Sequence, residues 1–362
     1  LGEVPFGRYY GGVDTTPLFV ALAGAYAERG GDMALIDELW PALLAAVGWI
    51  ENYGDTDGDG LIDYARGASS GLANQGWKDS QDSVFHADGR FAVGPIALVE
   101  VQGYAFAAYR AMAMLARRRG EPHDAWNAKA EHIREAVERR FWMEDHGFYA
   151  IAVDGAGDLC RVLSSNPGHL LFTRLVTPER ARLVADHLLS RRFAAGWGVR
   201  TLAVGEPRFN PMSYHNGSVW PHDTALATLG LSHYGERDGV VALTAAMFET
   251  ADGMEMRLPE LFCGFQRQPG EPPVAYPVAC LPQAWAAGSV FMMLQACLGL
   301  TVEPEGVTLV DPRLPIGIDR LWVDGLEVGG HSVRISVERL HDRIVVETDA
   351  PALVKVLPPA GV

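Results

Sequence analysis

Residues 32–53 read Asp-Met-Ala-Leu-Ile-Asp-Glu-Leu-Trp-Pro-Ala-Leu-Leu-Ala-Ala-Val-Gly-Trp-Ile-Glu-Asn-Tyr. Within them Leu35, Ile36, Leu39, Leu43, Val47 and Ile50 recur at helical spacing, so the stretch is expected to be a helix with an apolar stripe. Just upstream, Thr15-Thr16-Pro17 opens another helix running to about Arg29, with a capping residue and an early proline. Two helices joined by a short link form an antiparallel hairpin, and the pattern continues. Helices are expected at about 95–118, 124–141, 166–175, 178–190, 218–233, 237–250 and 282–298, which makes about nine in all. Asn166-Pro167-Gly168 and Thr177-Pro178-Glu179 mark two of the starts. Phe148–Val153 reads as a short strand or an extended link. After about residue 300 the character changes, and 307–310, 318–323, 332–337 and 343–347 read as strands. The expected fold is therefore mainly α, with a helical-hairpin domain over 1–300 and a small β-rich module over 301–362.

The chain has 362 residues, enough for one large or two ordinary domains. Hydrophobic residues make up 48%, which argues against disorder. Lys+Arg is 30 and Asp+Glu is 45, a net −15 that argues against nucleic acid or an anionic membrane as partner. No apolar run reaches the ~18 residues a membrane span requires. Cys160, Cys263, Cys280 and Cys297 are widely spread, with no C-x-x-C spacing. Buried thiols in a reducing, cytoplasmic setting are expected. The first residue is Leu1 and no signal-peptide pattern follows, so a longer chain beginning upstream is expected.

The links at 54–94, 191–216 and 251–281 are long, and each carries polar and aromatic clusters. Long loops in compact helical domains usually carry function, and a toroid of hairpins gathers such loops at one end. The first contains Gly71-Leu-Ala-Asn-Gln-Gly-Trp-Lys-Asp-Ser-Gln-Asp-Ser83. Trp77 offers an apolar face to a sugar ring, Asn74 and Gln75 offer amides to its hydroxyls, and Asp79 or Asp82 offers a proton to a leaving oxygen. Trp197 and Arg200 lie in a second glycine-flanked loop. The run Asn210–Asp223 adds Tyr214, His215, Trp220 and His222; its His/Asp spacing matches no helical metal-ligand pair. Glu260 stands in Leu258-Pro-Glu-Leu-Phe262, where a buried carboxylate must be paired or used; Arg257 and Arg267 are the candidate ion-pair partners. Gln283 and Trp285 begin the last helix. Upstream, Asp55, Asp57, Asp59 and Asp63, with the Leu61 carbonyl, follow the ligand order of a calcium loop, although Arg66 replaces the usual terminal Glu. The competing reading is an acidic turn that caps its own backbone N–H groups.

Tyr9-Tyr10-Gly-Gly-Val-Asp14-Thr-Thr-Pro17, Gly76-Trp-Lys-Asp79-Ser80, Ser213-Tyr-His-Asn-Gly-Ser-Val-Trp-Pro-His-Asp223, Pro259-Glu-Leu261 and Pro282-Gln-Ala-Trp285 together resemble the amylo-α-1,6-glucosidase family. The resemblance implies an (α/α)6 barrel, incomplete in this chain, with an upstream domain outside it. It implies inverting hydrolysis of an α-glucosidic bond, with Asp79 as general acid and Glu260 as general base. Tyr10, Asp14, Trp77, Lys78, Tyr214, His215, Trp220, His222 and Gln283 would surround the cleaved glucose. No cofactor is implied for catalysis, and calcium would be structural. The implied substrate is an α-1,6-linked oligosaccharide or limit dextrin. The alternatives are another short α-glucoside such as glucosylglycerate or mannosylglycerate, and a noncatalytic carbohydrate-binding module. An epimerase using His215 and His222 is a further rival.

Overall fold

The computed structural model describes Tyr9 and residues 11–67, 71–341 and 343–359. Among these residues the helices are α1 Thr15–Glu28, α2 Met33–Tyr53, α3 Val99–Arg118, α4 Asp124–Arg140, α5 Pro167–Phe172, α6 Pro178–Leu188, α7 Pro221–His233, α8 Arg237–Asp252 and α9 Ala284–Leu298. Local chemistry sets several of the ends. Asp32 accepts from the Ala34 N–H at 2.8 Å to start α2. Thr177 caps α6 ahead of Pro178. Gly299 ends α9 in the left-handed conformation at φ 57°.

The odd-numbered helices pack side by side in sequence, α1 on α3, α3 on α5, α5 on α7 and α7 on α9. The even-numbered ones lie behind them, α2 on α1, α4 on α3, α6 on α5 and α8 on α7. Small residues allow the inner helices to come close. A Cβ on Gly24 would stand 2.5 Å from Ala111 Cβ, and one on Gly230 would stand 2.6 Å from Leu171 Cβ. No comparable packing of α9 on α1 closes the row among the described residues, so the helices form an open arc rather than a closed ring. One contiguous core, including Val20, Leu43, Met112, Leu115, Phe141, Leu170 and Leu231, runs through the arc.

The helix α2 corrects the expectation about membrane spans, since its 21 residues are long and apolar enough to cross one. In the fold, its Ile36, Trp40, Leu43, Val47 and Ile50 stripe is buried.

Short strands complete the connections: β1 Ala97–Leu98, β2 Trp142–Met143, β3 Phe148–Tyr149, β4 Ala152–Val153 and β5 Leu159–Cys160. Here β1 pairs with β4, β4 with β5 and β2 with β3, all antiparallel. After α9 come β6 Leu300–Glu303, β7 Gly306–Val310, β8 Arg320–Val328, β9 His331–Leu340, β10 Arg343–Thr348 and β11 Val354–Leu357. They form two three-stranded sheets, ordered β11-β7-β6 and β10-β9-β8. Val307, Leu309, Val333, Ile335 and Val337 fill the space between them and reach Leu298 of α9. The sequence pattern does not reveal β6 or β11. Cysteines 160, 263 and 297 are buried as expected, but Cys280 is exposed.

Candidate active site

The first turns of the inner helices and the three long links converge at one end of the arc. The Gly71–Ser83 link enters this region and is pinned at almost every step. The Asn74 amide donates to the carbonyls of Ser80 at 2.7 Å and Gln81 at 3.3 Å, and its oxygen accepts from Tyr64 at 2.9 Å. Ser80 N–H donates to His215 Nδ1 at 3.3 Å, and Asn216 Nδ2 donates to the Asp82 carbonyl at 2.9 Å. Asp79 is left exposed at the surface of this loop, while Trp77 packs edge-on to His222 at 4.7 Å and to Trp220 at 5.6 Å.

A ladder of single bridges brings Glu260 to the same place. Arg200 pairs with Val219, Val219 with Phe262, and Phe262 with Ala275. These pairings take up residues expected to begin α7, which starts instead at Pro221. Glu260 is two residues before Phe262, and its backbone N–H donates to the Cys280 carbonyl at 3.0 Å. Its carboxylate accepts from Tyr214 Oη at 2.7 Å, Gln283 Nε2 at 3.0 Å and Cys280 N–H at 3.0 Å. Among the described residues no ion pair between Glu260 and Arg257 or Arg267 is seen: Arg267 pairs with Glu249 and lies 4.5 Å from the Trp197 ring.

The two carboxyls are poised in opposite senses. Although Asp79 is exposed on one side, partial desolvation by its surroundings pushes it above the usual carboxyl range, and the charge on Glu260 adds to the rise. Burial also pushes Glu260 up, but the Cys280, Tyr214 and Gln283 hydrogen bonds outweigh it and hold the group below its usual range. A carboxyl held up and a carboxylate held down in this way can serve as a proton donor and a proton acceptor.

Around them, the Trp285 ring stacks on His222 at 4.0 Å, and Trp220 stacks on His215 at 5.0 Å. Burial drives both imidazoles down to about 3, so each is neutral near pH 7. Asp14 stands at the start of α1 with its carboxyl raised by burial.

Several expected sugar ligands have other employment. Lys78 is buried, and its ammonium bonds to Ser165, Asn166 and Thr201. Asn74 is buried and staples its own loop. Arg200 is 2% exposed and bonds to the Gly264 and Arg191 carbonyls and to Gln266. Trp220 is 1% exposed, with its Nε1 donating to the Tyr214 carbonyl at 2.8 Å. Trp197 is buried in a small core beneath α8. His215 is buried behind Ser80. The groups the structure leaves at the accessible face are Asp79, Asp14, Gln75, Trp77, Asp82, Tyr214, Gln283 and Trp285, with the edge of His222. Tyr10 lies outside the described residues.

Sequence reasoning missed a buried chain beneath Trp77, in which Tyr104 bonds to His169 Nδ1 and His169 Nε2 meets Asp223 at 2.7 Å. These residues come from α3, α5 and α7, and no local spacing announces them.

In the 54–64 turn, oxygens of Asp55, Asp57 and Asp63 lie within 4.8 Å of one another. Calcium–oxygen bonds of about 2.3–2.6 Å fit that span. Asp59 departs from the expected ligand set, since it pairs with Arg140 at 2.9 Å. The capping reading also has support, because Asp55 accepts from the N–H groups of Gly58 and Gly60 at 2.7 and 2.9 Å.

Residues 10–262 match the model of the mannosylglycerate hydrolase MGH1-like glycoside hydrolase domain, and this is well over half the chain. The chain belongs to that family. The match takes in both Asp79 and Glu260. Over 144 residues the chain is 28% identical to a mannosylglycerate hydrolase from Rubrobacter radiotolerans, an alignment covering 39% of this chain and 33% of the relative. Solved structures share the fold: a sialidase with a TM-score of 0.68 and 14% identity over 91% of this chain, and a rhamnosidase from Bacillus sp. GL1 with a TM-score of 0.64 and 16% identity over 96%. The chain spans 31% and 33% of those two structures. The family match bears out the coarser part of the resemblance drawn from the motifs, a glycoside hydrolase; the family it names is the MGH1-like one, and amylo-α-1,6-glucosidase is not specifically shown.

Proposed function

We propose that this glycoside hydrolase cleaves a small glycoside of the mannosylglycerate type, with Asp79 as general acid and Glu260 as general base. The observation that carries the reading is the opposed poise of the two carboxyls, Asp79 raised and Glu260 lowered. Asp79 gives its proton to the glycosidic oxygen as the bond from that oxygen to the anomeric carbon breaks. Glu260 takes a proton from water as the water oxygen bonds to the same carbon from the opposite face. The sugar is released with inverted configuration, and the aglycone leaves as an alcohol. We assign Asp14, Trp77, Tyr214 and Gln283, which stay partly accessible beside the two carboxyls, to the sugar, and the family match and the Rubrobacter relative support a glycerate-type aglycone.

The experiment is sugar release from mannosylglycerate, glucosylglycerate, trehalose, isomaltose and limit dextrin by the wild type, Glu260→Gln and Asp79→Asn. Fastest release from a glycerate glycoside, lost by at least about 100-fold in either variant, is expected. Fastest release from isomaltose or limit dextrin would return the substrate to the α-1,6-glucosidase reading. Binding without release from any of them would leave a carbohydrate-binding module.

We also read the arc as the greater part of an (α/α)6 toroid. Its two end helices support this, since Leu18, Leu22 and Tyr26 of α1 and Phe291 of α9 are exposed apolar residues that a further hairpin would cover. A dye that reports exposed apolar surface should bind this chain and bind less to Leu22→Glu/Phe291→Glu. Equal binding counts against the reading.

A further inference from the structure

We propose that Lys78 is a positioning residue: its buried ammonium fastens the loop that aims Asp79 to the frame that carries Glu260, and it does not touch the sugar. The inference rests on Asp79 being the general acid.

Asp79 faces out, and Lys78 next to it is only 4% exposed. An ammonium has three N–H donors and no acceptor. Here all three are used, on Asn166 Oδ1 at 2.7 Å, the Thr201 carbonyl at 2.8 Å and Ser165 Oγ at 3.1 Å. The Trp77 ring covers it at 4.9 Å. With its donors spent and its surroundings closed, the group has nothing left to offer a substrate hydroxyl.

The three acceptors belong to segments that lead toward the base. Ser165 and Asn166 precede α5. Thr201 Oγ1 donates to the Ser218 carbonyl at 3.1 Å and accepts from Gly217 N–H at 2.9 Å. One residue on, Val219 pairs with Phe262, two residues from Glu260. The acid loop is thus tied through Lys78 and Thr201 to the strand beside the base. Glu260 has its own bonds to Tyr214, Gln283 and Cys280, so loss of the ammonium displaces the acid and leaves the base in place. The buried Glu100 and Asp223 carboxyls favour the charged form of this ammonium against the effect of burial.

The test compares two leaving groups. A glycoside needs a proton on its leaving oxygen, whereas a glycosyl fluoride departs without one and still needs the base. Lys78→Met keeps the stem and removes the donors. It is assayed beside Asp79→Asn on the glycoside the wild type cleaves fastest and on the fluoride of the same sugar. Lys78→Met should lower kcat on the glycoside about 100-fold and on the fluoride less than about threefold, with KM little changed, which is the pattern of a misplaced acid. Ser165→Ala, which removes one acceptor and is less disruptive to the fold, should give the same pattern at about three- to tenfold. Equal losses on both substrates would make Lys78 a general fold anchor. A raised KM with kcat retained would make it a sugar ligand. Either outcome overturns the proposal. If Asp79→Asn itself keeps full activity on the glycoside, the acid assignment has failed, independently of what Lys78→Met shows.

Discussion

At the residue scale, three hydrogen bonds set the ionisation of Glu260, the proposed base. Burial alone would raise its carboxyl and leave it protonated over more of the working range. The Cys280 N–H, Tyr214 hydroxyl and Gln283 amide reverse that. Removing one donor should therefore show in the acid limb of the pH profile. A base must be ionised, so kcat/KM falls as pH drops through the Glu260 pKa. Tyr214→Phe raises that pKa, and the acid limb should move to higher pH. On that limb kcat/KM should fall about tenfold, the scale of one hydrogen bond to a charged group. On the proposed assignment the basic limb belongs to Asp79, which must hold its proton and is pushed up first by partial desolvation and then by Glu260. It should stay in place, or move slightly, in Tyr214→Phe. A shift of the basic limb alone would mean that Tyr214 acts on the acid. The sequence singles out Asp79 as a candidate because it lies beside Trp77, Asn74 and Gln75, and Glu260 because it is a lone acid in an apolar stretch of a long link. The employment of Lys78, Asn74 and Arg200 was not, because a linear pattern shows the residue type and hides the acceptors. Those come from residues 165, 166 and 201 for Lys78, and from 191, 264 and 266 for Arg200.

At the element scale, the site depends on loops that touch backbone to backbone. A Cβ on Gly264 would lie 1.7 Å from the Gly217 carbonyl oxygen, so the Glu260 link and the 210–219 link meet with no room for a side chain. Gly264→Ala should force them apart, at a cost of about 1–3 kcal/mol in denaturant unfolding. It should also lower kcat by about 10- to 100-fold, because small misplacements of reacting groups are costly. Unchanged kinetics would show that the two links move independently. The 54–64 turn offers a separate test. If Asp55, Asp57 and Asp63 hold a cation, millimolar calcium should raise the melting temperature over a chelated sample, and Asp55→Asn should remove the rise. An unchanged melt leaves the turn as a set of backbone caps. Helices such as α2, α4 and α6 were legible from apolar spacing, since each buries one stripe, whereas α3 and α7 are buried nearly all round and show themselves by length and their flanking residues. What escaped was set by distant partners. Residues 218–220 look like the start of a helix, but Val219 is drawn into pairing with Phe262. Similarly, β6 and β11 are four-residue strands that exist only because β7 lies between them.

At the scale of the whole molecule, the charge surplus should mark the substrate. The chain carries −15, and both candidate catalytic groups are carboxyls. A negative field repels an anionic ligand, and added salt screens that repulsion over roughly 10 Å at 0.1 M. A glycerate glycoside carries a carboxylate, whereas isomaltose and trehalose are neutral. Raising ionic strength from low to physiological levels should therefore increase kcat/KM for mannosylglycerate severalfold, chiefly through KM. The value for any neutral glycoside the enzyme cleaves should stay flat. Because the same protein and the same pair of carboxyls serve both substrates, their ratio removes any effect of salt on the fold. A fall in kcat/KM with salt for the anionic substrate alone would mean that a local cation outweighs the overall field and draws the glycerate in. That result would direct attention to arginines around the mouth of the site, and it would set the electrostatics of aglycone recognition against the charge of the chain.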